Sequence, residues 1–204
     1  MSINPLSLAE LTSNEEKALQ AYKQAYESSG VSHCFTMNQE LRAGLRLDEM
    51  STGLAKTVEN LDRIFSRTPR LMAPLTVYRG TGNRSFLQVA EAGFRFRANE
   101  FWSTSRREDL VEKFIGLGGA LLELHLTEGV PAYDMETLAG AGGHEQEILL
   151  PRGVLWEVTS VRSSELPILL KGKYKCEHHS VARITLKALK FKGAETYETI
   201  SSLL

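Results

Sequence analysis

Residues 139–153 read AGAGGHEQEILLPRG: a glycine-rich loop, a glutamate pair around one glutamine, an apolar strand, and a Pro–Gly stop. In an extended segment, residues two apart point to the same side. Glu145 and Glu147 are therefore expected to face one way, and Gln146 the other. Two neighbouring carboxylates repel and resist joint burial, so stability alone seldom puts them at the mouth of an apolar strand. Taken by itself, a Glu-x-Glu is more often a solvated strand end. The context around it decides.

Outward from this segment the chain is strand-like. LTVYRG, EFWSTS, ALLELHL, EQEILL and VLWEVTSV are short, rich in β-branched or aromatic residues, and bounded by glycine or proline. ALLELHL alternates apolar and polar residues as a half-buried strand should, and SVARITLKALKF reads as a last strand. SFLQVAEAG and REDLVEKFIG read as short helices between strands. Further toward the N-terminus the pattern is helical. Ser13 and Glu16 form a capping-box pattern ahead of EEKALQAYKQAYESSG, which Gly30 ends. A second helix is expected from Asn38 in NQELRAGL. Leu54, Val58, Leu61 and Phe65 mark a third, with Pro69 beyond its end. The chain thus reads as a single α+β domain over 1–204, helices in 1–68 and a mainly antiparallel β core in 75–192.

Composition excludes several classes. The chain has 204 residues, 42% of them hydrophobic and 24% charged, enough to bury a core without staples. Its formal net charge of −1 offers no field to hold polyanions, so neither nucleic acid nor a membrane surface is expected as principal partner. Two cysteines, Cys34 and Cys176, make no disulfide framework. The N-terminal residues lack a basic region followed by an apolar one, and no apolar run approaches a membrane span. The expected setting is a cytosol.

Two further strand ends carry chemistry-bearing residues. Arg79 ends LTVYRG, and its planar guanidinium suits a phosphate or pyrophosphate, though such a residue is commonly a surface ion-pair partner. Ser103, Thr104 and Ser105 end EFWSTS. Small hydroxyls can brace a carboxylate and leave room for a ligand, or cap a helix, as Ser105 could for REDLVEKF.

In that order, VYRG, FWSTS and EQEILLPRG, with NQELRAG upstream, resemble the Arg–Ser–Glu class of mono-ADP-ribosyltransferases, which includes bacterial effectors and toxins and phage arginine transferases. The likeness covers roughly residues 20–162. It implies a two-sheet β core of that type, NAD as co-substrate, and no metal. It assigns catalytic roles to Glu147, Glu145 and Ser103, and NAD contacts to Arg79, Gly80, Ser103, Thr104 and Phe114. Glu147 would hydrogen-bond the nicotinamide ribose, Ser103 would hold Glu147, and Phe114 would stack on nicotinamide (a core phenylalanine is the equal alternative). Glutamate at the first position, Glu145, goes in the family with arginine as acceptor. The implied partner is a target protein bearing such an arginine, met by a monomeric enzyme delivered into a target cell without a cleavable signal peptide. Gly140–Gly143 resembles the family's mobile target-facing loop, while His144 stands where an aromatic is common. No second phosphate-binding arginine is assigned; Arg42, Arg84 and Arg106 are low-ranking candidates. An NAD glycohydrolase using the same residues, or a non-catalytic binding module of the same fold, are the alternatives.

Other motifs carry less. Cys176-Glu177-His178-His179 lacks zinc spacing and reads as a solvated turn. His33 and Cys34 are read as structural. Gly80-x-Gly82 is no dinucleotide fingerprint, because the third glycine and the βαβ context are missing. The lysines of KGKYK and KALKFKGA read as a solvated face, with a docking patch for an acidic partner as the alternative.

Overall fold

The computed structural model describes residues 10–23, 32–82, 90–115, 119–138, 145–169 and 176–191. Three helices come first: α1 (Ser13–Lys23), α2 (His33–Arg42) and α3 (Thr52–Arg67). Eight strands follow: β1 (Leu75–Thr81), β2 (Arg95–Arg97), β3 (Trp102–Ser105), β4 (Ala120–Leu126), β5 (Tyr133–Asp134), β6 (Glu147–Leu150), β7 (Val154–Leu169) and β8 (Cys176–Phe191).

The α1 capping box sits one residue earlier than its sequence pattern suggests. Thr12 Oγ1 accepts from the Glu15 amide at 3.3 Å, and the Thr12 amide donates to Glu15 Oε2 at 2.8 Å. Glu15 is buried and also meets Arg67 of α3 at 2.6 Å. Burial alone would raise its carboxyl, but Thr12 and Arg67 outweigh it and hold it below the usual carboxylate range. Helix α3 follows the expected stripe, burying Leu54, Val58, Leu61, Ile64 and Phe65. Helix α2 departs from expectation: it starts at His33, behind Ser32 as N-cap, and Asn38 lies inside it. That side chain is spent on tertiary contacts. Its Nδ2 donates to the Phe101 carbonyl at 3.1 Å, and its Oδ1 accepts from the Phe101 amide at 3.2 Å.

The strands form one order, β2-β7-β8-β4-β1-β3-β6-β5, antiparallel at every pairing except β4 with β8. One register pair, Tyr78↔Ser105, joins β1 to β3. The order folds back on itself at this joint. Trp102 of β3 stacks on Trp156 of β7 at 5.3 Å between ring centroids, although their strands lie far apart in the order. The implied two sheets are therefore two halves of a continuous one, packed face to face. Between them lies a core of Val77, Phe96, Trp102, Leu122, Ile148, Trp156 and Ile184. A second core places the helices against the outer side of β3 and β6, with Phe101 and Leu149 inside it.

Three further readings differ. REDLVEKF is not an α-helix but a run of turns ending in one 3-10 turn, Glu112–Phe114. Tertiary contacts override its helical pattern: Arg183 holds Glu108 through two bonds of 2.7 and 2.8 Å, and Val111 and Ile115 pack on Leu121, Leu166 and Val181. Cys176–His179 is the start of β8 rather than a turn, because β7 runs on to Leu169 and pairs with it. Strands β2 and β5 were too short to leave a period in the sequence. The SFLQVAEAG helix, the Gly140–Gly143 loop with His144, and KGKYK lie mostly or wholly outside the described residues.

Candidate active site

Alternation along β6 sends Ile148 and Leu150 into the inter-sheet core and leaves Glu147 and Leu149 on the helix side. Strand β3 does the same: Trp102 faces the inter-sheet core, while Phe101 and Ser103 face the helices. With Ser105 paired to Glu147 and Ser103 to Leu149, Ser103 stands diagonally beside the glutamate. Its Oγ donates to Glu147 Oε1 at 2.6 Å. Lys23, the last residue of α1, meets Oε2 at 3.3 Å. The Glu147 side chain is only 8% exposed, and its amide donates to Glu136 Oε1 at 3.4 Å. Enclosing a carboxylate this far is costly without partners on both oxygens. It has them.

Arg79 joins the same corner from β1. Its Nη1 donates to the Ser103 carbonyl at 2.7 Å, and its guanidinium lies 5.8 Å from the centroid of the Trp102 ring. Burial pushes up both the Tyr22 hydroxyl and the Cys34 thiol, and the charges of Arg79 and Glu147 act on both. The charges of this corner are thus felt at the end of α1, which Lys23 brings to Glu147, and at the start of α2. A thiol raised in this way stays protonated near neutral pH, in keeping with a structural Cys34. His33 is turned to Thr57 Oγ1 at 3.0 Å.

Glu145 is not part of the strand. Gln146 adopts φ 47°, a left-handed conformation, and β6 begins only at Glu147, so side-chain alternation does not relate the two glutamates. Two hydrogen bonds hold this kink: Ser105 Oγ donates to the Glu145 carbonyl at 2.7 Å, and the Arg106 amide to that of Gln146 at 3.2 Å. The Glu145 carboxylate, 45% exposed, pairs with Lys113 Nζ at 2.7 Å. Lys113 also lies 4.9 Å from the centroid of the Phe114 ring, and Phe114 is 55% exposed rather than a core residue.

The remaining expected residues serve the frame. Thr104 is buried, with its hydroxyl donated to the Ile148 carbonyl at 2.7 Å, so it faces the core and not Glu147. Gly80 makes room for the 3-10 turn. An added Cβ would collide with the Val111 carbonyl and stand 3.1 Å from Phe114 Cβ. Ser105 also accepts from the Arg107 amide at 3.1 Å, capping a turn rather than a helix. Of the candidate second arginines, Arg42 pairs with Glu100 at 3.3 Å and Arg106 with Asp134 at 2.8 Å; Arg84 lies outside the described residues. Lys23, Lys113 and Glu136 escaped the sequence reading, since a lysine in the last turn of a helix reads simply as a complement to its dipole. Among the described residues, no group of three or more His, Cys, Asp or Glu is arranged to hold a metal ion, and no helix is long and apolar enough to cross a membrane.

This architecture is that of the bacterial ADP-ribosyltransferase toxins. The family model described as ADP-ribosyltransferase exoenzyme matches residues 6–192, and the chain belongs to that family. Solved structures agree on the fold. Plx2a, an ADP-ribosyltransferase toxin from Paenibacillus larvae, is 18% identical with a TM-score of 0.63, over 89% of each chain. Exoenzyme S from Pseudomonas aeruginosa, solved with human 14-3-3 protein beta and carba-NAD, is 17% identical with a TM-score of 0.64, over 93% of this chain and 81% of that one. The ADP-ribosyltransferase Vis in complex with agmatine is 18% identical with a TM-score of 0.63, over 91% and 78%. No curated protein sequence matches.

Proposed function

We propose that the protein transfers the ADP-ribose of NAD to an arginine side chain of a target protein, releasing nicotinamide. One observation carries the reading: the buried Glu147 carboxylate is held by Ser103 at 2.6 Å, within a corner that Arg79 also reaches. Glu147 lies beside the ribose carbon that loses nicotinamide and stabilises the positive charge that builds there, the electrostatic logic of glycosidases. Ser103 fixes the orientation of that carboxylate. Arg79 contacts the NAD phosphates or the adjoining ribose. Phe114, exposed on its turn, offers nicotinamide the ring face opposite the one that Lys113 meets.

Glu145 faces the acceptor. A guanidinium is protonated at neutral pH and attacks only once it is oriented and gives up a proton, and a nearby carboxylate can do both. That related folds have been solved with carba-NAD and with agmatine, a guanidino compound, supports both halves of the proposal. The same reading makes the chain a single-domain, monomeric effector or toxin that acts on a protein in the cytosol of a target cell.

The test uses biotinylated NAD and cell lysate. The parent enzyme is expected to label a protein band and Glu147→Ala none, while Glu145→Gln keeps NAD hydrolysis and loses most transfer. Equal labelling by Glu147→Ala and the parent would falsify the assignment of roles. Free ADP-ribose with no labelled protein would instead identify a glycohydrolase.

A further inference from the structure

Lys113 stands one residue before Phe114, on the turn that packs over Gly80. Its ammonium touches two different surfaces. Nζ donates to Glu145 Oε1 at 2.7 Å and lies 4.9 Å from the centroid of the Phe114 ring. A carboxylate on one side and an aromatic face on the other is what a cation of the guanidinium class seeks. The seat is already built and already filled.

We propose that Lys113 is an internal surrogate for the acceptor: in the free enzyme its ammonium occupies the place between Glu145 and Phe114 that the incoming guanidinium takes, and it must leave before transfer. The proposal rests on the reading of Glu145 as the acceptor-side carboxylate. The turn itself does not retreat, for Arg183 clamps Glu108 at 2.7 and 2.8 Å and Gly80 leaves no slack beneath it. Displacement is therefore a swing of the flexible lysine stem. The exchange favours arginine, whose planar fork is more weakly hydrated than an ammonium and can bind a carboxylate through two parallel bonds. With Lys113 and Glu145 side chains 51% and 45% exposed, the ion pair is a weak competitor. It sets a threshold for acceptors without closing the site.

Steady-state transfer to agmatine at saturating NAD tests this, with the parent, Lys113→Met and Lys113→Arg compared. The methionine variant keeps the stem and loses the charge. Its KM for agmatine is expected to fall about two- to fivefold, the range of an exposed ion pair, with kcat within about twofold of the parent. Lys113→Arg keeps the cation, so its KM should stay at or above the parental value. Calorimetric titration with agmatine should show the same ranking. An unchanged or raised KM in Lys113→Met overturns the surrogate role. If parent and variants all cleave NAD but none modifies agmatine, the arginine-acceptor reading fails, and this proposal falls with it.

Discussion

Both oxygens of Glu147 are engaged, one by Ser103 at 2.6 Å and the other by Lys23 at 3.3 Å. The serine was expected because the likeness of FWSTS and EQEILLPRG to the family implied that Ser103 holds Glu147. The lysine was not, because it arrives from a helix over a hundred positions away in the chain. A hydrogen bond to a charged group contributes about 1.5–3 kcal/mol. Ser103→Ala should therefore lower kcat/KM for NAD cleavage about ten- to a hundredfold, since the carboxylate loses its fixed orientation. The thermal midpoint should fall by several degrees as well, so kcat/KM is compared well below the unfolding transition. A Ser103→Ala enzyme with parental kcat/KM would show that the bond holds structure and not chemistry.

At the level of elements, the 3-10 turn at Glu112–Phe114 shows where local pattern misleads. Its residues carry a helical apolar spacing, yet the segment is folded by what lies under and beside it. Strand β1 offers a bare backbone at Gly80, and the turn settles directly on it. Gly80→Ala forces the two apart. Overpacking of this kind costs about 1–3 kcal/mol, and here the displaced piece carries Phe114 and Lys113. The expected outcome is a lower melting temperature together with weaker NAD binding by calorimetric titration. If both stay parental, the close approach does not hold the turn in place. The same lesson applies at Gln146, whose left-handed φ of 47° takes Glu145 out of the strand. Period-two reasoning assumes an extended backbone, and nothing in a lone Glu-Gln-Glu announces the kink.

Across the whole molecule, the helices are not an appendage to the sheet. Asn38 bonds both the amide and the carbonyl of Phe101, and Tyr22 reaches the same carbonyl at 3.1 Å. Arg152, on the turn between β6 and β7, clamps Asp62 of α3 at 2.6 Å. These ties set the position of β3, and so of Ser103, against α1 and α2. Asn38→Ala leaves the buried Phe101 amide without its partner, while the carbonyl keeps Tyr22. It should destabilise the protein by about 1–3 kcal/mol, read as a drop in the urea midpoint with unchanged slope. A shift below about half a kcal/mol would mean that water replaces the amide at no cost.

By itself the sequence determined most of the strands and the face that α3 buries, and its likeness to the family singled out Arg79, Ser103 and Glu147 among the expected site residues. The elements follow from periodicity, which is local. Only the tertiary structure decided that the sheet doubles back until Trp102 meets Trp156, that Lys23 covers Glu147, and that Lys113 covers Glu145. The physical reason is the reach of each signal. Spacing along a chain reports which side a residue faces, whereas an ion pair depends on which remote element the folded core brings to that side.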